Sequence, residues 1–372
     1  MTLNELERLM RESLARQQLQ EATGRTDALL IYNPTAGPRA ELRRDLERVV
    51  AYLGERGWHV TMRTTRKPGD ATELARAAVA AHCKAVLVAG GDGTINEVVN
   101  GLVGSDTAMG VLPVGTGNVW AKEIGLPTLT LAQGDRLLAA ARMLVDGEVR
   151  RVDVGRAGER YFLVCAGVGF DSTVTAQMEP RTRTAKQLGV LAYMSAGVWI
   201  ARDFGGVRST IVIDGHTIRT KMILIVVSNA QLYGGLVRMS PEALLDDGLL
   251  DIRIFKGLGP VWVFRHVAGV FTHRHLRDPA VLHYQGRQVA IYTAEPFPVQ
   301  MDGEPVGMTP VSLEVVPRAL RVLVPKAASA NRFASDHYSV LPSLPPRSRL
   351  QWVYEMGLRL RDLAQTATQI GS

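Results

Sequence analysis

Cysteine is scarce in this sequence: Cys83 and Cys165 stand far apart and form no CxxC pair. A disulfide framework or a zinc site is therefore not expected, and a reducing compartment fits. Long apolar runs are missing too, since none reaches the roughly 20 residues of a membrane span. The opening MTLNELERLMRESLARQQLQ holds no apolar stretch of the kind that drives secretion, so no leader is expected there. No HExxH metal motif and no GxSxG nucleophile elbow occurs. His273 and His275 lie close together without clustered partners and read as surface residues. Zinc-finger spacing and RNP-type aromatic motifs are lacking, which argues against nucleic acid as a partner.

What is present is ordinary for a globular protein, with 46% hydrophobic and 21% charged residues in a chain of 372. That length suffices for two or three domains and a sizeable core. The formal charge of +7 favours anionic partners, either phosphates or an anionic membrane surface.

Residues 1–25 read as an N-terminal helix, with Leu3, Leu6, Met10 and Leu14 at helical spacing. Residues 26–150 alternate strand and helix signals. Strands are expected at 28–32, 58–64, 85–89 and 109–114, with helices at 40–56, 71–82, 94–102 and 131–146. This rhythm predicts a mostly parallel sheet covered by helices on both faces. Residues 151–326 are β-rich, with strands expected at 151–156, 160–168, 209–214, 219–229, 249–256, 288–294, 297–301, 312–315 and 320–324. Turn signals at Asp214-Gly215, Asp247-Gly248 and Asp302-Gly303 separate many of them. Helical patterns interrupt at 185–201 and 259–274. Residues 327–372 read as a linker, Leu341-Pro342-Ser343-Leu344-Pro345-Pro346, and a basic helix at 347–368. The fold class is α/β plus β: a nucleotide-type domain followed by an antiparallel β domain.

The chemistry gathers at strand ends. Val86-Leu87-Val88-Ala89 runs into Gly90-Gly91-Asp92-Gly93-Thr94, and a helix follows. Ligands of α/β sheets bind outside the carboxyl ends of parallel strands. Glycines there expose backbone N–H groups to phosphate oxygens, and the helix N-terminus adds positive potential. An acid facing phosphates makes sense with a divalent cation between them, so Asp92 is a candidate Mg2+ ligand, direct or through water. Gly110-Val111-Leu112-Pro113-Val114-Gly115-Thr116-Gly117-Asn118 repeats the design, and Asn33-Pro34-Thr35-Ala36-Gly37 does so a third time. One such loop is no more than a glycine-capped turn, but three along one sheet edge point to a nucleotide-phosphate site. Neither GxxxxGK[ST] nor a strand-following GxGxxG is present, which excludes a Walker A ATPase and removes the dinucleotide fingerprint.

As a set, these blocks resemble the diacylglycerol kinase catalytic domain family, which includes bacterial lipid kinases, sphingosine kinases and ceramide kinases. The likeness continues in order through Gly167-Val168-Gly169-Phe170-Asp171, Tyr233-Gly234-Gly235, Asp246-Asp247-Gly248-Leu249-Leu250-Asp251 and Asp302-Gly303-Glu304. It implies ATP- and Mg2+-dependent phosphorylation of a lipid hydroxyl, most plausibly that of diacylglycerol. It also implies an NAD-kinase-like nucleotide domain, a β-sandwich domain and an active site in the cleft between them. By position, Asn33, Pro34, Thr35, Ala36, Gly37, Thr65, Gly91, Asp92, Gly93, Thr94, Ile95, Asn96, Glu97 and Thr116 would contact ATP. Asn118 would ligate water or phosphate. Asp302 and Glu304 would supply the general base, and Asp171 would lie near the lipid headgroup. A structural Mg2+ would take the Asp247 carboxylate and the carbonyls of Leu244 and Leu249. Lys67, Lys122 and Lys186 are candidate phosphate contacts, set against the default of a solvated lysine.

The sequence departs from the family in two places. Val119 stands where the family often has Asp, which removes an acid from the charged network near the Mg2+. Ala36 stands where Ser is frequent, with Pro38 after it, and one hydroxyl donor is lost. The resemblance implies a cytoplasmic protein with peripheral contact to the inner face of a membrane, and exposed strand edges of the β domain offer a route to a homodimer. Two other readings stay open: a kinase of another alcohol, sphingoid or soluble as NAD is, and a nucleotide- or lipid-binding regulator without turnover.

Overall fold

The computed structural model describes residues 27–334 except 37–38, 116, 129–132, 178–203, 236 and 329. The helices expected at 1–24, 185–201 and 347–368, and the candidates Gly37 and Thr116, fall outside the described residues.

Strands β1 (Ala28–Tyr32), β2 (Val60–Thr64), β3 (Ala85–Gly90) and β4 (Ala108–Pro113) form a parallel sheet in the order β4-β3-β1-β2. Every residue of β3 and β4 is buried, as short apolar runs between two helix layers require. Helix α1 (Arg39–Glu55) packs against α5 (Gln133–Val145), and α2 (Asp70–Ala80) packs against α3 (Asp92–Leu102). A short helix α4 (Val119–Glu123) follows β4. The chain leaves β1 toward β2 and returns past it to β3, so the winding reverses between β1 and β3. The crevice at that reversal is where doubly wound sheets bind ligands.

The second half is antiparallel, as expected. It holds β5 (Glu148–Ala157), β6 (Arg160–Phe162), β7 (Cys165–Gly169), β8 (Val207–Ile213), β9 (His216–Ser228) and a two-strand ribbon of β10 (Leu232–Tyr233) and β11 (Val237–Arg238). Then come β12 (Leu250–Lys256), β13 (Val281–Gly286), β14 (Gln288–Thr293), β15 (Pro298–Met301), β16 (Glu304–Met308) and β17 (Val311–Val324). Its strands enclose an apolar core that includes Phe162, Ile211, Ile225, Ile252, Ile291 and Leu313. Helix α6 (Phe170–Gln177) follows β7, and α7 (Pro260–Phe271) follows β12.

Three expected strands turn out differently. The segments 312–315 and 320–324 are one strand, β17, which starts against β14 and ends parallel to β4. Pro317 and Arg318 interrupt its ladder with β5, but the Arg318 N–H donates to buried Asp153 Oδ1 at 2.7 Å and carries the strand across. β17 therefore belongs to both sheets. The run 160–168 breaks instead into β6 and β7, because the N–H groups of Leu163, Val164 and Cys165 turn toward one carboxylate, Asp302. His273 is exposed, as read, but His275 is buried, with its ring stacked 6.4 Å from Phe255.

Candidate active site

The three glycine turns meet at the sheet reversal. The Asn33 N–H continues the β1–β3 ladder to Ala89 O at 3.0 Å, and its Nδ2 reaches Thr94 Oγ1 at 3.4 Å. Asn33 Oδ1 accepts from the N–H and hydroxyl of Thr35, both at 2.8 Å, which fixes the turn. Pro34 and Thr35 are exposed and Ala36 is half-buried. The Thr65 N–H donates to Tyr32 O at 3.0 Å, so the β2 end joins the same edge. The Gly115 N–H donates to Gly90 O at 3.2 Å, and a side chain on Gly115 would come within 2.8 Å of Gly91 Cα. The two loops touch backbone to backbone, which no other residue type permits.

Asp92 opens α3 and turns its carboxylate to the third loop. Its Oδ1 accepts the Val119 N–H at 2.8 Å, and a Cβ on Gly117 would meet its Oδ2 at 2.3 Å. Burial pushes this carboxyl up, and the charge of Asp302 adds to the shift; the Val119 N–H and the Lys122 charge oppose it. The backbone of Val119 thus serves Asp92 although its side chain is no acid. Asn118 is buried in a left-handed conformation and its Oδ1 has no hydrogen-bond partner. That orphaned oxygen lies beside Gly115, next to Asp92's loop. A carboxyl and an unpartnered amide oxygen side by side are donors of the kind that fit a divalent cation on a phosphate.

Other residues of the Gly91–Glu97 stretch have different partners. Ile95 is in the core, and its N–H donates to Gly91 O at 3.1 Å. Asn96 reaches the other domain, donating to Tyr161 O at 3.1 Å and Asp302 Oδ2 at 2.8 Å. Glu97 caps α2, its Oε2 accepting the Ala71 N–H at 3.1 Å. Gly91, Asp92 and Thr94 are the members of this stretch that meet the neighbouring glycine turns.

Asp302 and Glu304 face the loops from the β domain. Asp302 is half-buried and accepts from Asn96 Nδ2, Leu163 N–H, Val164 N–H and Cys165 N–H at 2.7–3.0 Å. Those four bonds take up the lone pairs of a carboxylate and tie the turn to the segment 163–165 and to α3. Glu304 is part-exposed, and its Oε1 would lie 2.6 Å from a Cβ on Gly93. Its Oε2 is ion-paired with Arg160, a residue the motif reading missed. Both candidate bases reach α3: Asp302 Oδ2 through the Asn96 amide, and Glu304 Oε1 at Gly93.

Asp171 is buried. Its Oδ2 accepts the Tyr233 hydroxyl at 2.5 Å and Gln300 Nε2 at 3.0 Å, while Gln300 Oε1 accepts the Gly303 N–H at 2.8 Å. Asp171 therefore braces the Asp302–Glu304 turn from behind, and Tyr233 stands in front of it. Gly235, in the same loop, lets Lys122 pass: a Cβ there would lie 3.0 Å from its Nζ. Desolvation lowers the Lys122 pKa, and the Asp92 charge opposes that. Lys122 thus lies between the phosphate-side acid and the Tyr233 loop.

The Asp246–Gly248 turn stands apart. Burial, reinforced by Asp251, Asp153 and Asp246, pushes Asp247 up to about 7. Its Oδ1 accepts the Leu249 N–H at 3.0 Å, and the Gly248 N–H donates to Asp153 Oδ2 at 2.6 Å. Such crowding of acids fits a cation. Leu244 and Leu249 flank the turn on either side, both half-buried. Glu242, Asp251 and His283 also lie together, but Arg253 is already ion-paired with Glu242.

Glycine turns along a parallel-sheet edge, faced by a carboxylate from a β-sandwich, fit the class of phosphotransferases with an alcohol acceptor. Residues 27–157 match the diacylglycerol kinase catalytic domain, and residues 164–324 match the YegS C-terminal NAD kinase beta sandwich-like domain. A diacylglycerol kinase of Bacillus subtilis (strain 168) is 31% identical over 301 residues, covering 80% of this chain and 96% of that protein. One from Staphylococcus carnosus (strain TM300) is 28% identical over 304 residues, covering 81% and 96%. A crystal structure of a diacylglycerol kinase from Bacillus anthracis str. Sterne aligns with a TM-score of 0.67 at 25% identity, covering 82% of this chain and 99% of that one. The chain belongs to the diacylglycerol kinase family.

Proposed function

We propose that this protein transfers the γ-phosphate of ATP to the free hydroxyl of diacylglycerol, giving phosphatidic acid. The observation that carries the reading is Glu304, a carboxylate of the β domain set against Gly93 in the first turn of α3. A primary alcohol is a weak nucleophile at neutral pH. A carboxylate within hydrogen-bond reach accepts its proton as the phosphoryl group moves. Arg160 orients that carboxylate through their ion pair. The backbone of Gly91 and Gly93 and the α3 N-terminus hold the phosphates, and Lys122 faces charge that develops between the two domains. Asp92 and Asn118 would hold Mg2+, which when bound offsets the charge on the transferred group. Asp247, with the carbonyls of Leu244 and Leu249, would hold a second, structural Mg2+.

The test is transfer of labelled γ-phosphate to diacylglycerol, monoacylglycerol, sphingosine, ceramide and phosphatidylglycerol in mixed micelles, with NAD alongside. Labelled phosphatidic acid is expected. Label on another lipid alone would move the substrate. Label on NAD alone would overturn the lipid reading, and no transfer despite ATP binding would replace it with a regulator.

A further inference from the structure

Helix α7 is built the wrong way round for a helix in water. A surface helix turns its charged face outward and its apolar stripe to the core. In Pro260–Phe271 the only charged residue is Arg265, and the outward positions are Val261, Phe264, Val267 and Phe271, at 76%, 49%, 40% and 48% exposure. Leu258 before the helix and Leu276 after it extend the face, at 36% and 37%. Six of the nine large hydrophobic side chains exposed among the described residues therefore lie within 19 consecutive positions. Scattered exposed leucines need no explanation, but a contiguous apolar face does.

The rim of this face is basic. Lys256, Arg265, Arg274 and Arg277 stand against one acid, Asp278, across residues 256–278. Asp278 is spent on Arg265 at 2.8 Å, whereas Arg274 and Arg277 are exposed and have no ion pair among the described residues. The helix is also fixed to the substrate end of the β domain. Val263 and Trp262 pack with Phe204, Phe170 and Phe297, where the rings of Phe170 and Phe204 meet edge to face at 5.4 Å. Phe170 immediately precedes Asp171, which braces the Asp302–Glu304 turn.

We propose that α7, with Leu258 and Leu276, is the face by which this protein lies on an anionic bilayer, with its apolar side chains in the acyl boundary and Arg274 and Arg277 on lipid phosphates. An apolar face with a cationic rim, whose only acid across residues 256–278 is already paired with Arg265, matches an anionic lipid surface; a protein partner of mixed charge would meet uncompensated arginines. The proposal rests on the lipid-kinase reading, since the substrate is then a component of that bilayer and the catalytic turn is delivered to it.

The test is sedimentation of the full chain with vesicles of phosphatidylcholine, alone or with phosphatidylglycerol. The variants are Val261→Asp/Phe264→Asp and Arg274→Gln/Arg277→Gln, each checked for unchanged Tm and elution volume. Wild type is expected to pellet with the anionic vesicles. The aspartate pair should weaken partition at least about tenfold, and the glutamine pair about fivefold per arginine. Transfer to a short-chain diacylglycerol dispersed as monomers should be unchanged in both variants. Wild-type partition in the aspartate pair would overturn the proposal, and so would failure of wild type to bind any vesicle. Conversion of a dimer to a monomer with vesicle binding intact would assign the face to a second copy and overturn it as well. Vesicle binding without phosphorylation of any lipid would overturn the catalytic reading alone and leave the surface standing.

Discussion

Asp302 accepts four hydrogen bonds and Glu304 holds one ion pair, although a single glycine separates them. Their substitutions should therefore separate cleanly. Glu304→Gln keeps the size and loses the base, so kcat should fall by about 10²–10⁴ with ATP affinity retained. Asp302→Asn places an NH2 group against backbone N–H donors, so it should cost about 1–3 kcal/mol of stability, read from the urea midpoint. A stable Asp302→Asn protein that binds ATP but does not turn over would return the base to Asp302. The sequence offers both acids in one motif and cannot rank them. Ranking needs to know which carboxylate the backbone of 163–165 surrounds.

At the scale of elements, the parallel sheet was legible because its signals are local. Apolar runs such as 85–89, helix periodicity and glycine turns place β1–β4 and α1–α3 within a residue or two of their observed ends. The β domain was less legible where strands answer to distant partners. β13 and β16 were not anticipated: β13 is half-buried with no clean alternation, and β16 carries Pro305 and Gly307. Arg160 and Gln300 were invisible for the same reason, since their partners Glu304 and Asp171 are 144 and 129 residues away. The Asp246–Gly248 turn reads in sequence as either a solvated turn or a metal loop. The structure crowds Asp247 with three acids. Mg2+ added to nucleotide-free protein should raise Tm, with a stabilisation approaching about 2.7 kcal/mol at a hundredfold excess over Kd. Asp247→Asn should remove that increment, and an equal Mg2+ response in the variant would place the stabilising ion elsewhere.

At the scale of the whole molecule, the two domains are joined by more than β17. Among the described residues, no helix is long and apolar enough to cross a membrane. A buried ion pair between α4 and the segment after β17 ties the two halves as well. Arg332 Nε lies 2.8 Å from Glu123 Oε1, and both side chains are almost fully enclosed. Arg332 also donates to Gln231, and Glu123 Oε2 accepts the Leu232 N–H at 2.8 Å. The pair therefore fixes the start of the Tyr233–Gly235 loop against the phosphate side. Removing one partner leaves a buried charge alone, so Arg332→Ala should cost about 3–5 kcal/mol. Replacing both, as Glu123→Gln/Arg332→Met, should recover most of that, because the desolvation of two ions is no longer required. Activity should not recover in parallel, since glutamine and methionine hold the Leu232 and Gln231 backbone less firmly and the Tyr233 loop loses its register with Lys122. Urea midpoints and lipid phosphorylation measured on the single and double variants check both halves. Stability and turnover restored together would show that the pair only holds the fold and does not set the cleft.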